Sequence, residues 1–166
     1  MTMEFQEFAI VIVSAIGFIS LFKSSINFLR WIWIIPPKNL KEYGSWAMIT
    51  GATDGIGKAL AFELASKGLN LVLVGRNPSK LEVTSREIRK VVEEVEVKSI
   101  VVDLAKCRGE ELVDIIYKEI KGLDIGILIN NAGLGYPYPK FLHELDLELV
   151  ESILKVNMEA ASYLDD

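Results

Sequence analysis

The residues best suited to chemistry are glycines clustered in one short segment, TGATDGIG, at residues 50–57. Their spacing allows a tight turn, a close approach of the backbone to a ligand, and close packing of the helix that follows. The backbone N–H groups of such a loop and the positive end of the helix dipole favour phosphate. A phosphate-binding loop is therefore predicted, and its residues are Gly51, Ala52, Thr53, Asp54, Gly55, Ile56 and Gly57.

Two charged residues follow later apolar segments. Arg76 follows NLVLVG, at a point where a carboxylate would hold the ribose of NAD and an arginine would accept the additional phosphate of NADP. Such a charge-assisted contact is worth roughly 1.5–3 kcal/mol, so NADP(H) is the predicted cofactor. The alternative is a solvated loop arginine. Asp103 is predicted either to approach the adenine or to cap the segment that follows it.

Other reactive residue types are too sparse to form a site. His143 is the only histidine and Cys107 the only cysteine, so neither a metal site nor a Ser-His-Asp triad is predicted. Cys107 is expected to fill space, and the acidic residues of 144–151 to form a solvated helix start without a catalytic role.

The elements that must position the glycine loop alternate between strand and helix. Strands are predicted at 46–50, 70–75, 96–103 and 125–130, and helices at 56–67, 78–92, 110–120 and about 144–163. Short connections between such elements indicate a parallel sheet with right-handed crossovers. The predicted fold class is α/β, the N-terminal half of a doubly wound Rossmann sheet behind an N-terminal transmembrane helix.

The periodicity of two helices also predicts which residues face the core. For the helix after the glycine loop these are Ile56, Leu60, Ala61 and Leu64. For the helix over 110–120 they are Leu112, Val113, Ile116 and Ile120.

The N-terminal segment is predicted to be a membrane anchor over residues 1–37, with the apolar stretch at 8–35 in the bilayer. Lys23 interrupts the stretch but can extend its ammonium to the head groups, and Trp31 and Trp33 suit the membrane interface. Pro36-Pro37 is expected to end the helix, with a linker at 38–45 and a partial NADP-binding domain at 46–166. A cleaved signal peptide and a buried or interfacial helix are the alternatives.

The charge distribution restricts partners and location. Residues 1–41 carry a balance of +2 and the remainder −7, within a total of −5, so no nucleic-acid surface is predicted. The basic residues follow the apolar run, which predicts a body facing the cytosol. The single cysteine indicates a reducing compartment.

Taken together, these motifs resemble the short-chain dehydrogenase/reductase family. The resemblance is carried by TGATDGIG (50–57), GRN (75–77), Asp103-Leu104, NNAG (130–133) and Asn157 in KVNMEA. It implies that NNAG steadies the sheet and lines the cofactor site through Asn131, Ala132 and Gly133, with Asn131 beside the ribose. It also implies that Asn157 belongs to a catalytic tetrad and holds a water in a proton relay.

Within that family, the apolar segment, the Pro-Pro pair and LGYPYPKFLHEL (134–145) look like the membrane-bound very-long-chain 3-oxoacyl-CoA reductases and hydroxysteroid dehydrogenases, plant members particularly. The resemblance implies NADPH-dependent reduction of a 3-keto group during fatty-acid elongation, or of a ketosteroid. It further implies residence in the endoplasmic reticulum membrane and elongation-complex proteins as partners. The apolar edge of the fourth strand is predicted to pair with a full-length relative as the other possible partner.

The family's chemistry also needs a serine, a tyrosine, and a lysine four residues after that tyrosine, all located beyond the fourth strand. Tyr117…Lys121 precedes that strand, and Tyr136…Lys140 contains two prolines, so neither pair is predicted to be catalytic. The chain is therefore expected to be inactive alone. It is either a truncated or incomplete form of the reductase or a non-catalytic, membrane-bound nucleotide-binding or interaction module.

Overall fold

The computed structural model describes residues 2–34 and 38–165, in two units that divide at Asn39–Leu40. The first unit contains one helix, α1 (Thr2–Ile34). Its segment Glu7–Ile32 is long and apolar enough to cross a membrane by length and composition. The predicted helix end at Pro36-Pro37 lies outside the described residues.

The second unit is built on a parallel sheet in the order β3-β2-β1-β4. Its strands are β1 (Trp46–Thr50), β2 (Asn70–Gly75), β3 (Val97–Val101) and β4 (Ile125–Ile129). Its helices are α2 (Gly55–Ser66), α3 (Pro78–Val91), α4 (Gly109–Ile120), α5 (Leu147–Leu154) and α6 (Ala160–Leu164), with a π turn at Lys155–Glu159 between the last two. The predicted doubly wound α/β half-sheet is confirmed.

Two hydrophobic clusters cover the two faces of the sheet because successive strand residues point to opposite sides. Ala47 and Ile49 of β1 lie in one cluster with buried residues of α2 and α3. Trp46 and Met48 lie in the other with residues of α4 and Ala160 of α6. With both faces covered, β1 is buried along its whole length, which explains its unbroken apolar sequence.

Local capping decides where the helices begin. Asp54, Asn77 and Asp146 each accept a backbone hydrogen bond as the N-cap of α2, α3 and α5. The N-cap residue of α4 supplies no such bond, but Glu159 of the π turn accepts one from the Gly109 N–H at 3.0 Å. The start of α4 therefore depends on a side chain fifty residues later.

Several sequence expectations differ from the structure. Ile56 is 72% exposed, because the buried face of α2 is formed by Gly57, Ala61, Leu64 and Ala65 and Ile56 lies one residue outside it. Val113 is 37% exposed, whereas Ile115 packs against the second cluster in its place. Leu40, in the expected linker, packs against the first cluster, so the folded unit begins before β1.

The final helix also differs from the single helix expected over 144–163. It starts at Leu147, after a separate short 3-10 helix at Leu142–Glu144, and it contains the π turn. Periodicity detects the apolar face of such a segment but not one extra residue in a turn.

The contact of β4 with the segment before β1 generates a testable prediction. A Cβ on Gly126 would overlap the backbone of Tyr43 and Gly44, so Gly126→Ala must displace one of the two segments. We expect a loss of about 1–3 kcal/mol in the free energy of unfolding, measured by urea denaturation of the detergent-solubilised chain. Gly135→Ala is the control, because a Cβ there meets no atom within 4 Å. Equal midpoints for the two variants would contradict this packing.

Candidate functional site

The order of the strands places a crevice at the carboxyl ends of β1 and β4. From β1 the chain adds β2 and then β3 towards one edge of the sheet. It then returns and adds β4 on the other side of β1. Ligands of open α/β sheets bind at such a reversal point. Thr50 ends β1 there, and Asn130 and Asn131 follow β4.

Thr50 joins the two strands through a buried hydroxyl. Its Oγ1 accepts hydrogen bonds from the N–H groups of Asn131 at 3.1 Å and Ala132 at 3.0 Å. The same hydroxyl lies 3.4 Å from the carbonyl of Ile129, to which it can donate. The residue is only 2% exposed, so water cannot replace these bonds. Thr50 was not among the predicted site residues.

Asn131 connects the strand ends in the other direction. Its side-chain amide donates to the carbonyls of Thr50 at 3.0 Å and Gly51 at 3.2 Å. Gly57 of α2 leaves room for this amide, since a Cβ there would lie 2.5 Å from the Gly51 carbonyl oxygen and overlap the amide itself. The glycine loop and the segment after β4 are thus held together as one surface.

A first cavity of ≈ 160 Å³ opens at this surface. Six of the predicted site residues line it: Gly51, Thr53, Arg76, Asp103, Ala132 and Gly133. The other lining residues are Gly75, Val102, Leu104, Ala105, Leu134 and Val156. Leu134 and Val156 were not predicted, because only the folded chain brings them to the crevice.

The remaining residues of the predicted phosphate loop do not line this cavity. Ala52 is fully buried in the first cluster, and Gly57 packs beneath Asn131. Gly55 begins α2, and the side chain of Ile56 is exposed. Asp54 lines a second, neighbouring cavity instead.

The two charged residues of the first cavity have different surroundings. Arg76 is exposed, and within residues 2–34 and 38–165 its guanidinium takes part in no hydrogen bond or ion pair. Asp103 lines the cavity and also accepts a hydrogen bond from the Ala105 N–H at 3.1 Å. The N-cap of the next helix, α4, is Arg108, so Asp103 caps only a turn, and its approach to the adenine stays a prediction.

Asn157 lies in the π turn and binds the backbone of a single residue. Its Oδ1 accepts from the Leu134 N–H at 2.8 Å, and its Nδ2 donates to the Leu134 carbonyl at 2.9 Å. The amide therefore fixes the position of Leu134 at the cavity wall. One N–H and one lone pair of the Asn157 side chain remain for other partners.

Asp54 is held in place by the loop itself. The Gly55 N–H donates to its Oδ1 at 2.8 Å, and Lys80 Nζ lies 3.5 Å from its Oδ2. The hydrogen bond to Gly55, followed by the charge of Lys80, holds the pKa of the Asp54 carboxyl below its usual range. The carboxylate is therefore charged at neutral pH.

The residue pairs set aside by sequence reasoning remain apart from the cavity. Tyr117 lies exposed on α4, and Lys140 lies over the ring of Tyr138 and not over that of Tyr136.

Partial burial, with Glu111 and Asp103 nearby, raises the pKa of the Cys107 thiol, which is therefore protonated at neutral pH. Among the described residues, no group of three or more His, Cys, Asp or Glu side chains is arranged to hold a metal.

Comparison with known proteins places this architecture in a family. The sequence profile described as short chain dehydrogenase matches residues 45–164. The chain belongs to the short-chain dehydrogenase family. The family resemblance read from the glycine loop, GRN, NNAG and Asn157 is thereby confirmed.

Two curated relatives illustrate the range of proteins that this chain resembles. A very-long-chain 3-oxoacyl-CoA reductase-like protein of Arabidopsis thaliana is 44% identical over 97% of this chain and 52% of its own length. A human protein named inactive hydroxysteroid dehydrogenase-like protein 1 is 45% identical over 75% of this chain and 37% of its own length. The chain thus spans about half, or less, of the relatives that it matches.

A solved structure shows the same fold. A short-chain dehydrogenase from Sphingobium yanoikuyae in complex with NADPH is 32% identical, with a TM-score of 0.63 over 72% of this chain and 45% of that one. Family membership and this neighbour support binding of a nicotinamide cofactor by this chain.

The Thr50 hydroxyl generates the second testable prediction. Thr50→Val keeps the shape of the side chain but leaves the Asn131 and Ala132 N–H groups without an acceptor. We expect a loss of about 1–3 kcal/mol in the free energy of unfolding. Thr50→Ser, which keeps the hydroxyl, is expected to retain most of the free energy of unfolding of the unaltered chain. Urea denaturation followed by circular dichroism measures both variants, and a valine variant as stable as the serine variant would show that the Thr50 hydroxyl does not hold the two strands together.

Proposed function

We propose that this chain carries the cofactor-binding part of a membrane-anchored, NADPH-dependent reductase of 3-oxoacyl-CoA. The observation that carries the proposal is the first cavity, where the free guanidinium of Arg76 follows β2 and no acidic residue stands at positions 75–77. An arginine there accepts the additional phosphate of NADP, whereas NAD is held by a carboxylate.

The chain's own residues suit such a cofactor. Gly51 and Thr53, with the start of α2 behind them, would hold the pyrophosphate, because small residues there expose backbone to the cavity. Arg76 would hold the 2′-phosphate and Asp103 the adenine, while Ala132 and Gly133 would line the ribose side. When bound, NADPH supplies the hydride for reduction of a carbonyl. The cavity of ≈ 160 Å³ is smaller than the roughly 300–1,000 Å³ of complete small-molecule sites, so these residues form one portion of the site.

The substrate class rests on the relatives. The Arabidopsis relative is named for very-long-chain 3-oxoacyl-CoA, and its match extends over 97% of this chain, including the apolar N-terminal segment. Ketosteroid reduction is the neighbouring alternative within the same part of the family, since the human relative carries a hydroxysteroid dehydrogenase name.

The proposed location is the endoplasmic reticulum membrane, with the folded unit in the cytosol. Glu7–Ile32 of α1 has the length and composition of a membrane span, and basic residues follow it at Lys38 and Lys41. Basic residues flanking a span are retained on the cytosolic side. We propose no nucleic-acid or metal partner for the acidic folded unit.

The reduction itself requires groups beyond those assembled at the cavity. Asn157 is the one proposed catalytic-tetrad residue, and its side chain is bonded to Leu134. Neither Tyr117 nor Tyr136 lines the first cavity. We therefore propose that residues 1–166 bind NADPH but do not reduce a substrate by themselves.

A non-catalytic role is the second candidate, and the observation that favours it is the edge of the sheet. All five residues of β4 are only partly buried, and among the described strands β4 pairs with β1 alone. An apolar strand edge is a surface for pairing with another chain, such as a full-length relative or an elongation-complex protein. Ile127 and Ile129 also pack against the first cluster, so charging either would test folding more than pairing.

Cofactor selection gives the third testable prediction. Arg76→Gln removes the guanidinium, so we expect the dissociation constant for NADPH to rise about ten- to a hundredfold while that for NADH changes little. Titration of the detergent-solubilised chain, followed by its thermal unfolding temperature, measures both constants. Arg86→Gln is the control, because Arg86 is an exposed arginine of α3 paired with Glu82. Equal losses for both cofactors would exclude Arg76 as the selecting residue.

The proposed lack of catalysis gives the fourth testable prediction. The pure chain, saturated with NADPH, is expected to leave a 3-oxoacyl-CoA substrate unreduced, as followed by the absorbance of NADPH. Oxidation of NADPH that depends on both the chain and the substrate would overturn the proposed inactivity, and it would leave the cofactor assignment intact.

A further inference from the structure

A second cavity lies beside the cofactor cavity, and sequence reasoning did not predict it. Its volume is ≈ 340 Å³, and it is lined by Thr53, Asp54, Lys58, Ser79, Lys80, Val83 and Thr84. Thr53 lines both cavities, and its Cγ2 faces Gly75 at the end of β2. The second cavity therefore adjoins the point where Arg76 leaves the sheet.

Two lysines border this cavity, and their pairings differ. Lys58 Nζ lies 2.7 Å from the Glu87 carboxylate, a close ion pair. Lys80 Nζ lies 3.5 Å from the Asp54 carboxylate, and the two side chains are 57% and 84% exposed. Lys80 is thus the more loosely held cation and remains accessible to an anion in the cavity.

Asp54 presents a difficulty for a phosphate held at Arg76, because the cavity that Asp54 lines adjoins the point where Arg76 leaves the sheet. Its carboxylate is fixed to the loop by the Gly55 N–H, so it cannot turn away without losing the N-cap of α2. A fixed negative charge repels a nearby phosphate unless a cation compensates for it. Lys80, in the first turn of α3, is the side chain that supplies this compensation.

We propose that Lys80 is a specificity-determining residue that, together with Arg76, selects a dinucleotide bearing a 2′-phosphate by neutralising Asp54. The inference rests on the proposed NADPH binding and adds two residues to it. Arg76 attracts the phosphate directly, whereas the Asp54 carboxylate repels it. The ammonium of Lys80 neutralises that repulsion. A purely structural role for the exposed Lys80–Asp54 pair would instead stabilise the fold slightly and leave nucleotide selection unchanged.

The experiment uses the full chain in detergent and two small probes, 2′,5′-ADP and 5′-AMP, which differ only in the 2′-phosphate. Five variants are compared by isothermal titration calorimetry: Lys80→Gln, Asp54→Asn, both together, Arg76→Gln, and the control Lys67→Gln. Lys67 is 55% exposed and paired with Glu63 at the opposite end of α2, so its substitution makes the same charge change far from the loop. Asparagine at position 54 is also a good N-cap, so α2 retains its start.

Lys80→Gln is expected to weaken binding of 2′,5′-ADP about three- to tenfold and to change binding of 5′-AMP less than about twofold. Asp54→Asn is expected to tighten 2′,5′-ADP binding about two- to fivefold. The double variant should lie near the unaltered chain, because loss of the carboxylate removes the need for the ammonium. Thermal unfolding of each variant identifies any effect that comes from loss of the fold.

The outcomes separate the two proposals. If Lys80→Gln matches Lys67→Gln while Arg76→Gln still abolishes the preference for 2′,5′-ADP, the role of Lys80 is wrong and NADPH binding stands. Weaker 2′,5′-ADP binding by Asp54→Asn would also overturn the role given to the pair. If the unaltered, folded chain binds no 2′,5′-ADP and no NADPH, both proposals fail.

Discussion

The candidate site depends on one buried hydroxyl. Thr50 Oγ1 accepts the backbone N–H groups of Asn131 and Ala132, which fixes the end of β1 to the segment after β4. Asn131 then donates back to the carbonyls of Thr50 and Gly51, so neither segment can shift without breaking several buried bonds. The glycine loop, the cavity wall at Ala132–Gly133 and the packing of α2 over Gly57 all follow from this junction.

Charged side chains surround that junction. Arg76 of the first cavity and Lys80 of the second flank the N-cap of α3, while Asp54 serves as the N-cap of α2. Asp54 therefore has two tasks that conflict once a phosphate is near: it stabilises the start of a helix and it repels the phosphate. The proximity of Lys80 lets the chain keep the helix cap while limiting that repulsion.

Much of this was accessible from the sequence, for particular reasons. The unbroken apolar strands and the glycine loop are local signals, and they placed β1 and β2 at the bounds found in the structure. Gly51, Thr53, Arg76, Asp103, Ala132 and Gly133 follow strand ends, so a parallel sheet brings them to one edge without further information. Thr50, Leu134 and Lys80 could not be predicted, because their roles depend on hydrogen bonds and charges between segments distant in the chain. Ile56 was misassigned because the buried face of α2 begins one residue later, at Gly57, which has no apolar side chain to mark it in the sequence.

The π turn at Lys155–Glu159 holds two attachments at once. Asn157 binds the backbone of Leu134, and Glu159, two residues later, accepts from the first N–H of α4. An α-helix advances about 100° per residue, so loss of the extra residue in this turn would rotate one attachment away from its partner. Single-residue deletions within the π turn should therefore be tolerated far less well than substitutions of its exposed side chains. The length of this segment is under stronger constraint than most of its individual side chains.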